Sequence, residues 1–267
     1  MKKKLLCVMC GLVLTISMIA GCSQNFQDDS VETGRESNNK TDGVSFTQIA
    51  DDALSDVTEE EYEEIIVNMY EELDEEYIEE FDEMSGIEIK EQLDTFNDKY
   101  DVGDVLSEED EALLLYTCQN YDTVEEENSE FETIAYVTRN YSIGNTKTSN
   151  NVKVGYSGTL STYVTGTTGQ YKTNVKITKY SGTVKSMKWK TSHKAYGLIG
   201  TSGKSASLGV VYSGSNTSSA YTSTFSFSKT QKYSAILAVY VSTWGTLDVK
   251  TSSGEFNMNT KTYSSTE

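Results

Sequence analysis

Side chains that transfer protons, ligate metals or attack carbonyl groups are scarce in this sequence of 267 residues. His193 is the only histidine and lies beside Lys190 and Lys194, so no multi-histidine metal site or two-histidine relay can be assembled around it. Asp248 and Glu255 have the residue types of a glycosidase acid–base pair, yet two carboxylates on neighbouring strands are more often plain surface groups. Gly197-x-x-Gly200-x-x-Gly203-Lys204-Ser205 is similar to a phosphate-binding loop, but five residues instead of four separate Gly197 from Gly203. The residues after it alternate as a strand where such a loop needs a helix, so it reads as a turn. Cys118 follows Leu114 and Leu115 in a helical pattern without a histidine to activate it, and reads as packing. The acidic runs 71–83 and 98–109 lack the ligand order of a calcium-binding loop. No catalytic residue, metal-ligand set or cofactor is assigned.

Lysines offer a different chemistry, the binding of anions. In the strand-like segments Tyr171 to Tyr180 and Val184 to Thr191, Val175, Ile177, Met187 and Trp189 alternate with Lys172, Lys176, Lys188 and Lys190. A hairpin through Ser181-Gly182-Thr183 with a shared core face sets Ile177 opposite Met187 and Val175 opposite Trp189. The same register sets Lys176 opposite Lys188, a like-charge pairing that costs ~0.2–1 kcal/mol and that a bound polyanion would relieve. Lys172, Lys176, Lys188, Lys190 and Lys194 are therefore the candidate anion-binding residues. Teichoic acid, an acidic glycan or nucleic acid is the candidate ligand. The plainer reading is that lysines keep an exposed strand soluble.

The charges that surround these residues divide the chain in two. Residues 23–138 hold 38 of the 41 acidic residues against Arg35, Lys40, Lys90 and Lys99, whereas residues 139–267 hold Arg139 and 14 lysines against Asp248, Glu255 and Glu267. Spacings of three and four organise the acidic part. Phe46, Ile49, Ala53, Leu54 and Val57 form one stripe, and Tyr62, Ile66, Met69, Leu73, Tyr77, Phe81 and Met84 form a longer one opened by Thr58-x-x-Glu61 and stopped at Ser85-Gly86. Ile89, Leu93, Phe96 and Tyr100 predict a third helix, and Ser107-x-x-Asp110 opens a fourth. Short connections make this a small antiparallel bundle.

Beyond the acidic connector the period becomes two and the composition Thr, Ser, Val, Tyr and Gly, which is that of strands. Segments at 131–143, 152–156, 160–164, 171–180, 184–191, 194–199, 205–212, 220–227, 233–243, 246–250 and 256–261 predict an antiparallel sandwich or open barrel with no intervening helix. Tyr-Ser-Gly at 156–158, 180–182 and 212–214 reads as strand ends entering turns. The fold class is α+β in two regions: an acidic helical region at 45–122, a connector at 123–130 and a basic β domain at 131–267. Their opposite charges predict that helices dock on the β domain and loosen as salt rises.

Location comes from the N-terminus. Lys2, Lys3 and Lys4 precede an apolar run from Leu5 to Met18, which ends in Ile19-Ala20-Gly21-Cys22. This arrangement resembles that of bacterial lipoprotein precursors over residues 1–22. The resemblance implies a signal peptide at 1–21, a diacylglyceryl lipid on Cys22, and attachment to the extracytoplasmic face of the cell membrane. The run falls short of the ~20 apolar residues that a spanning helix needs. Residues 22–44 are polar and read as a flexible tether with a mean reach of about 25 Å. After cleavage, and with Cys22 acylated, Cys118 would be the one cysteine left, so no internal disulfide could form. Absent proline and few arginines, both encoded by GC-rich codons, suggest an AT-rich Gram-positive source. The reading that joins these features is a lipid-anchored module that binds without catalysis. The alternatives are a hydrolase of cell-wall or environmental glycans and a transporter's solute-binding lipoprotein, the latter disfavoured by the lack of βαβ units.

Overall fold

Polar side chains that can take a backbone N–H decide where the acidic helices begin. The computed structural model describes residues 40–45, 59–119, 136–165, 168–202, 205–234 and 238–264. Its helices are α1 (Glu59–Glu71), α2 (Glu75–Glu83), α3 (Gly86–Lys99) and α4 (Glu108–Gln119). The long helix expected up to Met84 is two helices, because the Asp74 carboxylate accepts the Glu76 N–H at 3.0 Å and starts a second one. Ser85 does more than stop α2. Its Oγ accepts the Glu88 N–H while the Glu88 carboxylate accepts the Ser85 N–H at 2.8 Å, a capping box that opens α3. The helix expected over 45–57 falls outside the described residues except for Ser45, which belongs to a strand.

The strands are β1 (Lys40–Ser45), β2 (Tyr136–Ser149), β3 (Val152–Thr165), β4 (Thr168–Ser181), β5 (Val184–Ser202), β6 (Ser205–Thr217), β7 (Phe225–Ser234), β8 (Ala238–Thr251), β9 (Glu255–Asn259) and β10 (Tyr263–Ser264). They form two antiparallel sheets in a sandwich-like stack. One sheet runs β1-β6-β5-β8-β10 with β9 also on β8, and the other runs β2-β3-β4-β7. Between them Leu160, Val175, Ile177 and Phe227 meet Met187, Trp189, Leu247 and Val249. Two pairs of expected strands are single long ones, β3 and β5. Tyr156-Ser157-Gly158 and Tyr212-Ser213-Gly214 accordingly lie within strands, and only Ser181-Gly182 enters a turn.

The expected hairpin is not formed. β4 pairs with β3 and β7, while β5 pairs with β6 and β8. The chain crosses from one sheet to the other at Gly182, whose φ of +82° suits glycine. Val175, Ile177, Met187 and Trp189 do share a core, but they meet across the space between sheets. Alternation along a strand fixes which face is buried, and either a hairpin or a sandwich satisfies the same inward set. Lys176 consequently stands opposite Ser157 and Ser226, and Lys188 opposite Asp248.

Helices α3 and α4 lie on the outer face of the six-stranded sheet, where Phe96, Tyr100, Leu113 and Leu114 share a cluster with Tyr196, Leu208, Val210 and Tyr240. Asn97 of α3 anchors this contact: its Oδ1 accepts Ser242 Oγ–H at 2.6 Å and the Tyr196 hydroxyl at 3.2 Å. The free edge of β6 is covered in two places. Gly103 and Leu106 donate to Val210 and Leu208 at 3.0 and 2.9 Å, and β1 pairs from Lys40 opposite Thr217 to Ser45 opposite Tyr212. Lys40 to Val44, expected to be tether, are thus strand. Residues 37–267 form one compact unit. The signal, the lipobox and Cys22 lie outside the described residues. Among the described residues no helix is long and apolar enough to cross a membrane.

Candidate functional site

Each of the five candidate lysines is placed by strand parity. On β4, Tyr171, Thr173, Val175 and Ile177 point inward, so Lys172, Asn174 and Lys176 project outward and are exposed. Lys188 and Lys190 project from the outer face of the other sheet, where Asp248 stands across from Lys188. Lys194 is buried, at 7% exposure. Its Nζ donates to the carbonyls of Asn97, at 2.7 Å, and Tyr100, so it closes the C-terminal end of α3. Burial lowers its pKa, while Asp101, Asp98 and Asp104 act in the other direction. The five lysines therefore do not form one patch: Lys172 and Lys176 remain together on an open face, and Lys194 is structural.

That open face is the outer surface of β2-β3-β4-β7. No Asp or Glu occurs anywhere from residue 133 to residue 247, so these four strands present no carboxylate. Lys232 of β7 stands opposite Gln170, and Lys153 of β3 lies 5.5 Å from the centre of the exposed Tyr180 ring. A groove of about 390 Å³ runs between Asn140, Ser161, Tyr163, Gln170, Lys172 and Asn174, with Thr159 and Thr162 completing it. Ser161 Oγ–H donates to Asn140 Oδ1 at 2.6 Å, holding the two side chains side by side across β2 and β3. The arrangement offers amide and hydroxyl groups of both polarities, one ammonium and one aromatic ring. Neutral residues in Ser/Thr-rich strands gave no separate signal in the sequence; only the outward parity that all of them but the inward Thr162 share with Lys172 marks them.

The other chemical constellation is interior. His193 Nδ1 lies 2.7 Å from Thr243 Oγ1, and its Nε2 lies 2.7 Å from the Tyr233 hydroxyl. Thr243 Oγ1 lies 2.7 Å from Thr162 Oγ1 on the opposite sheet, and Tyr171 stacks on the imidazole at 4.7 Å. A base beside a hydroxyl resembles an activated nucleophile. Here both residues have zero exposure, so no substrate can approach. Burial alone pushes the His193 pKa down to about 3, which keeps the ring neutral. Cys118 is half-buried, and burial pushes its thiol up to about 12, which keeps it protonated.

The remaining sequence candidates are also accounted for. Glu255 pairs with Lys250 at 2.9 Å on the exposed outer face that also carries Asp248. Gly197 and Gly200 lie within β5, and Ser202 pairs with Ser205 of β6, so no helix follows as a phosphate-binding loop requires. No group of three metal-ligating side chains occurs among the described residues. Comparison of the chain with models of known protein families gives no match, and comparison with curated proteins gives none either.

Proposed function

We propose that this protein is a lipoprotein, anchored through Cys22 to the extracytoplasmic face of the membrane, that acts by binding an anionic polymer on the open face of β2-β3-β4-β7. One observation carries the reading: this face bears Lys172, Lys176, Lys153 and Lys232 and no carboxylate. An approaching anion meets attraction without repulsion from these four strands, and an open sheet face suits a chain better than a small solute. The described helices, which hold 20 of the 41 acidic residues, pack on the other sheet and not on this face. Teichoic acid, an acidic glycan and nucleic acid share the required charge.

The test is binding of the full-length protein to each of the three polymers over a range of salt. Binding weakens as salt rises, because each neutralised anion releases counterions. Lys172→Glu with Lys176→Glu abolishes it, whereas Lys188→Glu with Lys190→Glu, on the other sheet, changes it little. Salt-insensitive binding, equal losses from both pairs, or no binding to any of the three overturns the reading.

A further inference from the structure

We infer that the groove between β2, β3 and β4 is a subsite for a carboxylated sugar, and that the polymer held on this face is an acidic glycan and not a phosphodiester chain. The inference rests on the anion-binding reading above and narrows it. Its first support is the ratio of charge to neutral hydrogen-bonding groups. Lys172 is the single cation lining the groove, and Asn140, Ser161, Gln170 and Asn174 surround it. Each amide offers two N–H donors and a carbonyl acceptor, and each hydroxyl does both. Sugar hydroxyls also donate and accept. A uronic-acid-type ring, with several hydroxyls and one carboxylate, matches this set group for group.

Charge spacing is the second support. Lys172 and Lys176 lie four residues apart on β4, a separation of about 13 Å along a strand. A nucleic-acid strand carries one charge per ~3.4 Å, so most of its phosphates would lie on this face without a lysine. A glycan charged once per ring or once per two rings is sparser than nucleic acid and leaves fewer anions unmatched. Poly(glycerol phosphate) is set apart instead by the neutral hydrogen-bonding groups, since that chain carries fewer hydroxyls per charge than a uronic-acid ring. The third support is Tyr163, which lines the groove half-buried. Its ring supplies an apolar surface for the C–H face of a sugar while its hydroxyl stays near water. At about 390 Å³ the groove falls in the lower part of the range for small-ligand sites, which suits one or two rings of a longer chain.

Titration calorimetry of the full-length protein tests this with three probes of defined chemistry: polygalacturonate, its fully methyl-esterified form, and poly(glycerol phosphate). Polygalacturonate is expected to bind at least tenfold more tightly than either of the others. Asn174→Ala is expected to weaken it about tenfold with an unchanged salt dependence, because a neutral hydrogen bond is lost, whereas Lys172→Met reduces both affinity and salt dependence. Equal or tighter binding of poly(glycerol phosphate) overturns the sugar inference and leaves the anion reading intact. Binding of the ester as tightly as the acid overturns the role of the carboxylate. An Asn174→Ala protein that binds as tightly as the parent while Lys172→Met does not shows a surface that reads charge alone, which also overturns it. Failure of all three probes overturns the inference; the anion reading then stands or falls with the teichoic acid and nucleic acid titrations.

Discussion

His193 shows how a residue suited to catalysis is diverted to structure. Both ring nitrogens have partners, Thr243 and Tyr233, and the ring has no exposed surface. Its folded pKa of about 3 lies below the 6.5 of an exposed histidine, so the unfolded chain binds the proton first. The contribution of the neutral ring is complete above pH 6.5 and is lost as pH falls toward 3, at ~1.4 kcal/mol per pH unit. Urea unfolding at pH 6, 5 and 4 is expected to show this slope, and His193→Gln is expected to be less stable at pH 7 yet flatter over the same range. Equal slopes would place the acid sensitivity elsewhere. From the sequence, the lack of histidine partners already argued against catalysis; Tyr171, Tyr233, Thr162 and Thr243, which surround the ring, come from four different strands, and no local pattern announces them. Lys194 was open to the opposite error. Its flanking lysines grouped it with an anion site, but its even parity on β5 also faces it toward α3, which only the tertiary contact reveals.

At the scale of elements, the sequence specified faces well and partners poorly. Inward and outward positions from Tyr171 to Ile177 on β4 and from Met187 to Thr191 on β5 are as alternation predicts, because burial depends on a period of two. Pairing depends on which turn the chain takes, and Gly182 permits a crossing between sheets as readily as a tight hairpin. Helix boundaries were legible where a cap is written in adjacent residues, as at Ser107, whose Oγ accepts the Asp110 N–H at 3.4 Å, and missed at Asp74, where a continuous apolar stripe hid the cap. The seating of α3 on the six-stranded sheet gives a test at this scale. Lys194→Met removes the donor to the Asn97 and Tyr100 carbonyls inside a buried contact, a loss of about 1–3 kcal/mol. For a unit of this size that corresponds to a melting temperature lower by about 3–10 °C, measurable by circular dichroism. Lys190→Met, exposed on the same strand, is expected to change it by less than about 2 °C.

The charge division of the whole chain is real in sequence, yet it is not what joins the layers. Phe96, Leu113, Leu114, Tyr196 and Leu208 are fully or nearly fully buried at the junction of helices and sheet. Each such side chain contributes roughly 1.5–3 kcal/mol, against about 0–1 kcal/mol for an exposed ion pair. Raising salt from 0.05 to 1 M is therefore expected to leave the maximum dimension of residues 37–267 unchanged in small-angle scattering. Expansion with salt would restore charge as the organising force. The order of strands in the six-stranded sheet has a further, kinetic meaning. Its first described strand, Lys40–Ser45, and its last, Tyr263–Ser264, belong to one sheet, with β6, β5 and β8 between them. The early edge of that sheet must wait for partners about 170 residues later in the chain. Such distant pairings put folding in the millisecond-to-second range. Because the sequence contains no proline, peptide-bond isomerisation at proline adds no slower phase to refolding.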